Sequence, residues 1–371
     1  MINIAFAFNF NIQRCEIEVG GEDIIVREGY LPLIRTLLDH GIKADLFLSG
    51  YSTKNILEID PGLIETIKSH LGESFELGTY TYTHPIPQLL HPEEFLRQIK
   101  KGLEIDRRVF GVSPTGFLPP ELAYSREMAV ALVSQGIKWI VILTGLLKKA
   151  LPDVKEDKLY FPYTAGAGHS GVTVIPAAYQ LPQTPERFFK LMMKGELSVD
   201  KVLDGVKRFA DVHPDGLLLF KRDAETVFID RFNSGFSGTE RVINEFMEGL
   251  ASMDQVCPVT IGQFIAENSP VGRIKLPDHL GNTRIETFTE GAAKELWELT
   301  LKVRDKLLEA EKNNPGSEEA ERAWEHLLLS HNSDGRIGYW FSEWNPGEHE
   351  VAPSRRKFVE DNLKAALEVL S

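Results

Sequence analysis

The sequence predicts an α/β protein, an incomplete barrel of seven strands wrapped by helices and followed by a helical domain. Three observations predict it. Apolar runs of strand length alternate with helical patterns over roughly the first two-thirds of the chain, the repetition that builds a parallel sheet covered by helices. Two carboxylates, Glu121 and Asp223, each follow such a run, at the strand ends where α/β folds keep their chemistry. From about Gly291 the helical spacing continues without strands. Seven strands could also form a doubly wound open sheet, and periodicity does not choose between the two. The barrel is preferred because it gathers groups from many strand ends at one mouth, whereas an open sheet gathers them at one switch point.

Strands are expected at residues 2–10, 44–48, 75–82, 116–118, 139–143, 172–175 and 216–220. After the first, Tyr30, Leu33, Ile34, Leu37 and Leu38 mark a helix that stops at Gly41, a C-terminal glycine stop. Further helices are expected at 92–110, opened by Pro92-Glu93-Glu94, and at 239–250. Residues 123–127 read as the start of another, directly behind Glu121. Residues 151–180 are broken by Pro152, Pro162, Gly166, Gly168, Gly171 and Pro176, and read as a long loop or hairpin on the barrel rim, a substrate-side lid. Three apolar helical faces close the chain: Leu296, Leu299, Val303 and Leu307; Trp324, Leu327 and Leu328; Phe358, Leu363, Ala366 and Leu370. The expected division is a barrel over residues 1–285 and a helical domain over 286–371.

Charge and cysteine usage narrow the function. The net charge of -13 excludes an ordinary nucleic-acid binder, which needs a basic face. An acidic surface suits uncharged ligands such as neutral sugars. Cys15 and Cys257 are the only cysteines, too few for a disulfide framework. The apolar start, Met1-Ile2-Asn3-Ile4-Ala5-Phe6-Ala7-Phe8, lacks a basic leader and reads as a strand rather than a signal peptide. No run is long enough to span a membrane. A cytoplasmic protein is expected, and the sequence leaves a homo-oligomer open.

Glu121 and Asp223 together supply what cleavage of a glycosidic bond requires, two carboxylates on separate strand ends. Either could instead be a helix cap or a surface charge; the apolar strands before them, and Arg222 and Glu225 beside Asp223, single them out. His84 ends the third strand and either binds a sugar hydroxyl or serves the turn before Pro85. Asn9, Asn11 and Gln13 alternate at the end of the first strand and so point to one side. Their amides both donate and accept, as sugar hydroxyls do, although turn chemistry uses the same residues. Trp340 follows a glycine-bearing loop and could stack on a sugar ring or anchor the helical domain. No His-Glu-X-X-His, Cys-X-X-Cys or phosphate-cradling glycine loop is present, so neither metal nor nucleotide cofactor is expected.

These segments resemble glycoside hydrolase family 57, whose members act on α-glucans or α-galactosides through a (β/α)7 TIM-like barrel with a C-terminal helical domain. Residues 116–124 are similar to the family's nucleophile segment, which implies Glu121 as nucleophile and places Tyr124 among the substrate contacts. Asp223, in Phe220-Lys221-Arg222-Asp223-Ala224-Glu225, matches the family's general acid/base. Residues 78–84 resemble the second family region and residues 327–334 the fifth, which implies that Asp334 reaches the site. The chain departs from the family at several positions. Asn9-Phe10-Asn11-Ile12-Gln13 stands where His-X-His-Gln-Pro is common and is closer to the α-galactosidase branch; Phe117 replaces a tryptophan, Pro120 flanks the acid, and Gly335 follows Asp334.

The resemblance implies a retaining α-glycosidase or transglycosylase on oligo- or polysaccharides, with Glu121 attacking and Asp223 as general acid/base, its pKa raised by carboxylates such as Glu225. The rival is a non-catalytic carbohydrate-binding or regulatory protein on the same fold. A metal-dependent deacetylase on a related barrel is a poorer fit, because Asn9 and Asn11 stand where paired aspartates are expected.

Overall fold

The computed structural model describes residues 1–12, 21–167, 170–178, 181–230, 235–281, 283–336 and 353–371, with the backbone alone at Ala167, Ser170, Ala292, Asp334 and residues 353–355. Its strands are β1 (Ile2–Phe10), β2 (Ala44–Leu48), β3 (Phe75–Thr79), β4 (Gly116–Phe117), β5 (Trp139–Leu143), β6 (Tyr163–Ala167), β7 (Ser170–Ala177), β8 (Leu217–Asp223), β9 (Val256–Pro258) and β10 (Arg273–Ile274). They form one sheet in the order β10-β6-β7-β5-β4-β3-β2-β1-β8, with β9 paired to the start of β1. From β7 through β5, β4, β3, β2 and β1 to β8, every ladder is parallel. β7 and β8 approach each other without pairing. The seven expected strands thus form a barrel that stays open at one seam.

Strand alternation divides the apolar residues into two layers. Ile4, Phe6, Phe8 and Phe10 of β1 face outward with Leu218 and Phe220 of β8, beneath the covering helices. There the Phe6 and Phe220 rings stack at 5.0 Å, and Phe189 and Phe246 complete the cluster from two helices. Ala5 and Ala7 face inward with Leu217 and Leu219, and meet Phe47, Trp139, Val141 and Ile175. Small residues on β1 leave room for these rings. A side chain at Gly78 would strike Phe47, and one at Gly116 would strike Trp139, so glycine there is what lets the barrel fill. Phe264, on the helix Ile261–Glu267, joins this inner layer and plugs the floor.

Several expected boundaries move. β3 stops at Thr79 because Thr81 turns to positive φ (80°), where a strand cannot continue. The helix behind Glu121 begins only at Arg126, capped by the Ser125 hydroxyl. Residues 151–180 do contain a hairpin, β6 against β7, but β7 is a wall strand of the barrel rather than rim. The helix Pro92–Phe110 has the expected ends: proline in the first turn, and Gly111 at φ 76° after it.

Beyond the barrel, the helices Lys294–Asn313, Glu318–Ser330 and Pro353–Val369 pack around Leu296, Val303, Leu307, Trp324, Leu327, Val359 and Leu363, an apolar cluster of their own. They meet the barrel at a buried ionic junction. Arg304 donates to both oxygens of Glu94 at 2.7 Å, and His331 lies 3.4 Å from the same carboxylate. No helix among the described residues is long and apolar enough to cross a membrane.

Candidate active site

The mouth at the C-terminal ends of the strands collects most of the expected residues. In the ladder between β1 and β8, Asn9 stands opposite Asp223. Both continue the inward-facing columns, Ala5-Ala7-Asn9 and Leu217-Leu219-Lys221-Asp223 in alternate positions. The Asn9 Nδ2 donates to Asp223 Oδ1 at 2.6 Å, and the Lys221 ammonium lies 3.1 Å from the same oxygen. Asn9 Oδ1 and Asn11 Nδ2 are buried with no hydrogen-bond partner among the described residues. One acceptor and one donor thus remain to be matched at this wall, as a hydroxyl-bearing ligand can do.

These neighbours set the charge of Asp223. Burial alone would raise its pKa, but Lys221, the Asn9 amide and Arg222 outweigh burial and hold the carboxyl down at about 2. The expected rise is therefore corrected: Asp223 is ionised in the resting site. Glu225, named as the cause of that rise, instead accepts from the Tyr30 hydroxyl at 3.4 Å. Strand geometry explains the difference. Lys221 lies two residues before Asp223 on the same strand face, whereas Glu225 belongs to the helical turn Glu225–Phe228 beyond the strand.

The mouth is also where backbone strain concentrates. Six non-glycine residues have positive φ among the described residues, and Thr81, His84, Glu121 and Leu122 are four of them. All four follow β3 or β4. Such strain gathers at sites whose side chains must be aimed rather than merely packed. His84 is buried; its backbone N–H donates to Thr81 Oγ1 at 3.1 Å, and its Nδ1 lies 2.8 Å from Ser333 Oγ. Burial pushes its imidazole down to about 3, opposed by Asp223 and reinforced by Lys221, so it is neutral. Glu121 is half-buried in the single turn Pro120–Leu122, between the inward side chains Leu118 and Leu122.

The remaining expectations divide. Ser333, in the short turn Ser333–Gly335 that contains Asp334, binds His84 through both side chain and backbone, which brings the backbone of Asp334 to the site's edge. Tyr124 lies behind the Glu121 turn. Its side chain is 1% exposed within the outer apolar layer, and its backbone pairs with His279. Gln13 and Trp340 lie outside the described residues. Lys221 was missed, although strand alternation from Asp223 marks its inward face. Among the described residues, no three His, Cys, Asp or Glu side chains gather as a metal-binding group.

Comparison with known proteins agrees with this fold. The chain superposes on the crystal structure of a 4-alpha-glucanotransferase from Thermococcus litoralis with a TM-score of 0.77 and 16% identity, covering 100% of this chain and 60% of that one. A family 57 branching enzyme from Thermococcus kodakaraensis gives 0.75 and 15% identity, over 99% of this chain and 90% of that one. A curated peptidoglycan-N-acetylglucosamine deacetylase from Bacillus cereus is 28% identical over 116 residues, which are 31% of this chain and 40% of that protein. The chain thus spans less than two-thirds of the glucanotransferase and of the deacetylase. The structural likenesses establish a shared fold, and the sequence itself supplies the family. Residues 10–277, which include Asn11, His84, Glu121 and Asp223, match the model of glycosyl hydrolase family 57, and the chain belongs to that family.

Proposed function

We propose that the protein is a retaining glycosidase or transglycosylase of α-linked oligosaccharides, with a barrel over residues 1–285 and a helical domain over 286–371. The observation that carries this reading is the pairing of Asn9 with Asp223 across β1 and β8, which sets an oriented carboxylate at the same mouth as the strained Glu121 turn. Glu121 attacks the anomeric carbon as its bond to the leaving oxygen breaks, and Asp223 gives that oxygen a proton. In the second half Asp223 takes a proton from water or a sugar hydroxyl, whose oxygen displaces the Glu121 carboxylate. Ionised Asp223 is ready for this second half. The first half needs its proton, so sugar binding must part it from Lys221. Asn9, Asn11, Gln13, His84, Asp334 and Trp340 are the proposed sugar contacts. An α-glucan is supported by the solved family relatives, and the asparagine-rich end of β1 keeps an α-galactoside in the test.

The Lys221–Asp223 ion pair also favours a second reading, a sugar-binding protein that holds Asp223 permanently ionised. One experiment separates the two. Purified protein is incubated with α-1,4- and α-1,6-linked glucose and galactose oligosaccharides, and the configuration and length of the products are followed, with Glu121→Gln run in parallel. Products of retained configuration that disappear in the variant are expected, and longer products would indicate transfer. Binding of an oligosaccharide without turnover would overturn the enzyme reading and leave the second.

A further inference from the structure

Glu121 and Leu122 follow one another at φ 54° and 55°, a left-handed pair with no glycine in it. Two local bonds close the turn, Leu122 N–H to Pro119 O at 2.9 Å and Ala123 N–H to Pro120 O at 3.0 Å. Such bonds do not by themselves hold two strained residues, so the support must come from elsewhere in the chain.

It comes from a loop far away in sequence. Tyr124 and His279 exchange backbone hydrogen bonds of 2.7 Å in both directions. The Gln88 amide donates to the carbonyl oxygens of both, at 3.1 Å to Tyr124 and 2.9 Å to His279, and so ties the bridge to the turn after β3. The Arg126 N–H donates to the Asp278 carboxylate at 3.1 Å. Gly281, at φ 67°, lies directly against the Glu121 backbone. A Cβ at Gly281 would overlap the Glu121 carbonyl oxygen and come within 2.7 Å of its carbon and 2.9 Å of Ala123 N. Residues 278–281 begin just past the range that matches the family, which ends at 277.

We propose that residues 278–281, pinned by Gln88, form a clamp that aims Glu121 into the barrel mouth, with Gly281 as its positioning residue. The inference rests on Glu121 as the nucleophile. The clamp acts on the backbone at Glu121 and Ala123 and not on the sugar, so it governs the rate of attack more than affinity. Glycine is needed at 281 twice over, for its φ and for the missing Cβ, and these needs can be separated. Gly41 has a similar φ of 63°, and a Cβ there would meet nothing within 4 Å, so Gly41→Ala carries the backbone strain without the contact.

The test compares Gly281→Ala, Gly41→Ala and Gln88→Leu with the unaltered protein, reading turnover of maltoheptaose and amide hydrogen exchange at Leu122, Ala123 and Tyr124. Gly281→Ala is expected to lower kcat about a hundredfold with KM held within about twofold, and to speed exchange at those amides. Gln88→Leu should do the same to a lesser degree, and Gly41→Ala should do neither. Gly281→Ala with the kcat and exchange of Gly41→Ala would overturn the clamp. Glu121→Gln, run alongside, keeps the two ideas apart. Turnover surviving in that variant overturns the nucleophile, while the exchange rates by themselves uphold or overturn the clamp on the turn.

Discussion

Carboxylates lie at both ends of the barrel, and the two ends shift their pKa values in opposite directions. At the mouth, Asp223 meets Asn9 and Lys221, with the Arg222 charge nearby, and is held down at about 2 against its burial. At the floor, Asp45 and Glu76 face each other with backbone and hydroxyl donors and, among the described residues, no ion-pair partner: Ile261 N–H reaches both Asp45 oxygens, at 2.9 and 3.2 Å, and Thr260 and Gly262 donate to Glu76. Burial, then the Glu76 charge, push Asp45 well above its ordinary value, and burial raises Glu76 as well. Burial is common to both ends and cannot explain the difference. At Asp223 the difference is the Lys221 ammonium, 3.1 Å from its oxygen, together with the Asn9 amide.

A third carboxylate shows that a depressed pKa is no mark of catalysis. Glu94, at the junction between barrel and C-terminal helices, is opposed by burial but held at about 2 by His331 and Arg304. Asp223 and Glu94 share a charge state, and the comparison breaks if they also share a phenotype. Asp223→Asn is expected to lower turnover about 10³-fold, as loss of a general acid/base does. Glu94→Gln should leave turnover near the original level but destabilise the fold by about 3–5 kcal/mol, because it strands Arg304 in a buried junction. Initial rates and denaturant unfolding of both variants decide it. The pH dependence has a fixed sign: the folded pKa of Glu94 lies below its ordinary 4.5, so its stabilisation is present above that value and is lost as the pH falls toward about 2.

The next largest effect concerns Lys221. Replacing it with methionine keeps the stem and removes the charge 3.1 Å from Asp223. The pKa of Asp223 should rise by about 1–3 units, and the limb of the pH–rate profile on which Asp223 loses its proton should move upward by as much. Because kcat/KM reports the free protein, in which the pair is intact, a kcat/KM profile identical to that of the unaltered protein would mean that Asp223 does not carry the proton.

The sequence made legible what depends on local pattern. Apolar runs of strand length marked the wall strands, and proline and glycine punctuation marked both ends of Pro92–Phe110. Strands of two or three residues, β9 and β10, have no alternation to read. At the site, Glu121 and Asp223 were visible because each follows an apolar run. For Tyr124 no periodicity says which side faces in, because it follows an irregular turn. The charge of Asp223 misled because the chain neighbour Glu225 was weighed and Lys221, on the same strand face, was not. Gly281 was beyond reach, since its role exists only where a distant loop touches the Glu121 turn.

The smallest expected effect tests the floor. The folded pKa of Asp45 is raised, so its contribution to stability is complete below the ordinary value of 3.8 and is lost as the pH climbs toward the folded value. At about pH 7 the folded state must either ionise a fully buried group beside Glu76 or bind a proton that the unfolded chain has released, and both cost stability. Asparagine has no proton to bind, and its oxygen still accepts from Ile261. Asp45→Asn should therefore raise the melting midpoint by about 2–4 °C near pH 7 and leave it almost unchanged near pH 4, with turnover unaltered at both. An equal gain at both pH values would assign the effect to packing or hydrogen bonding instead.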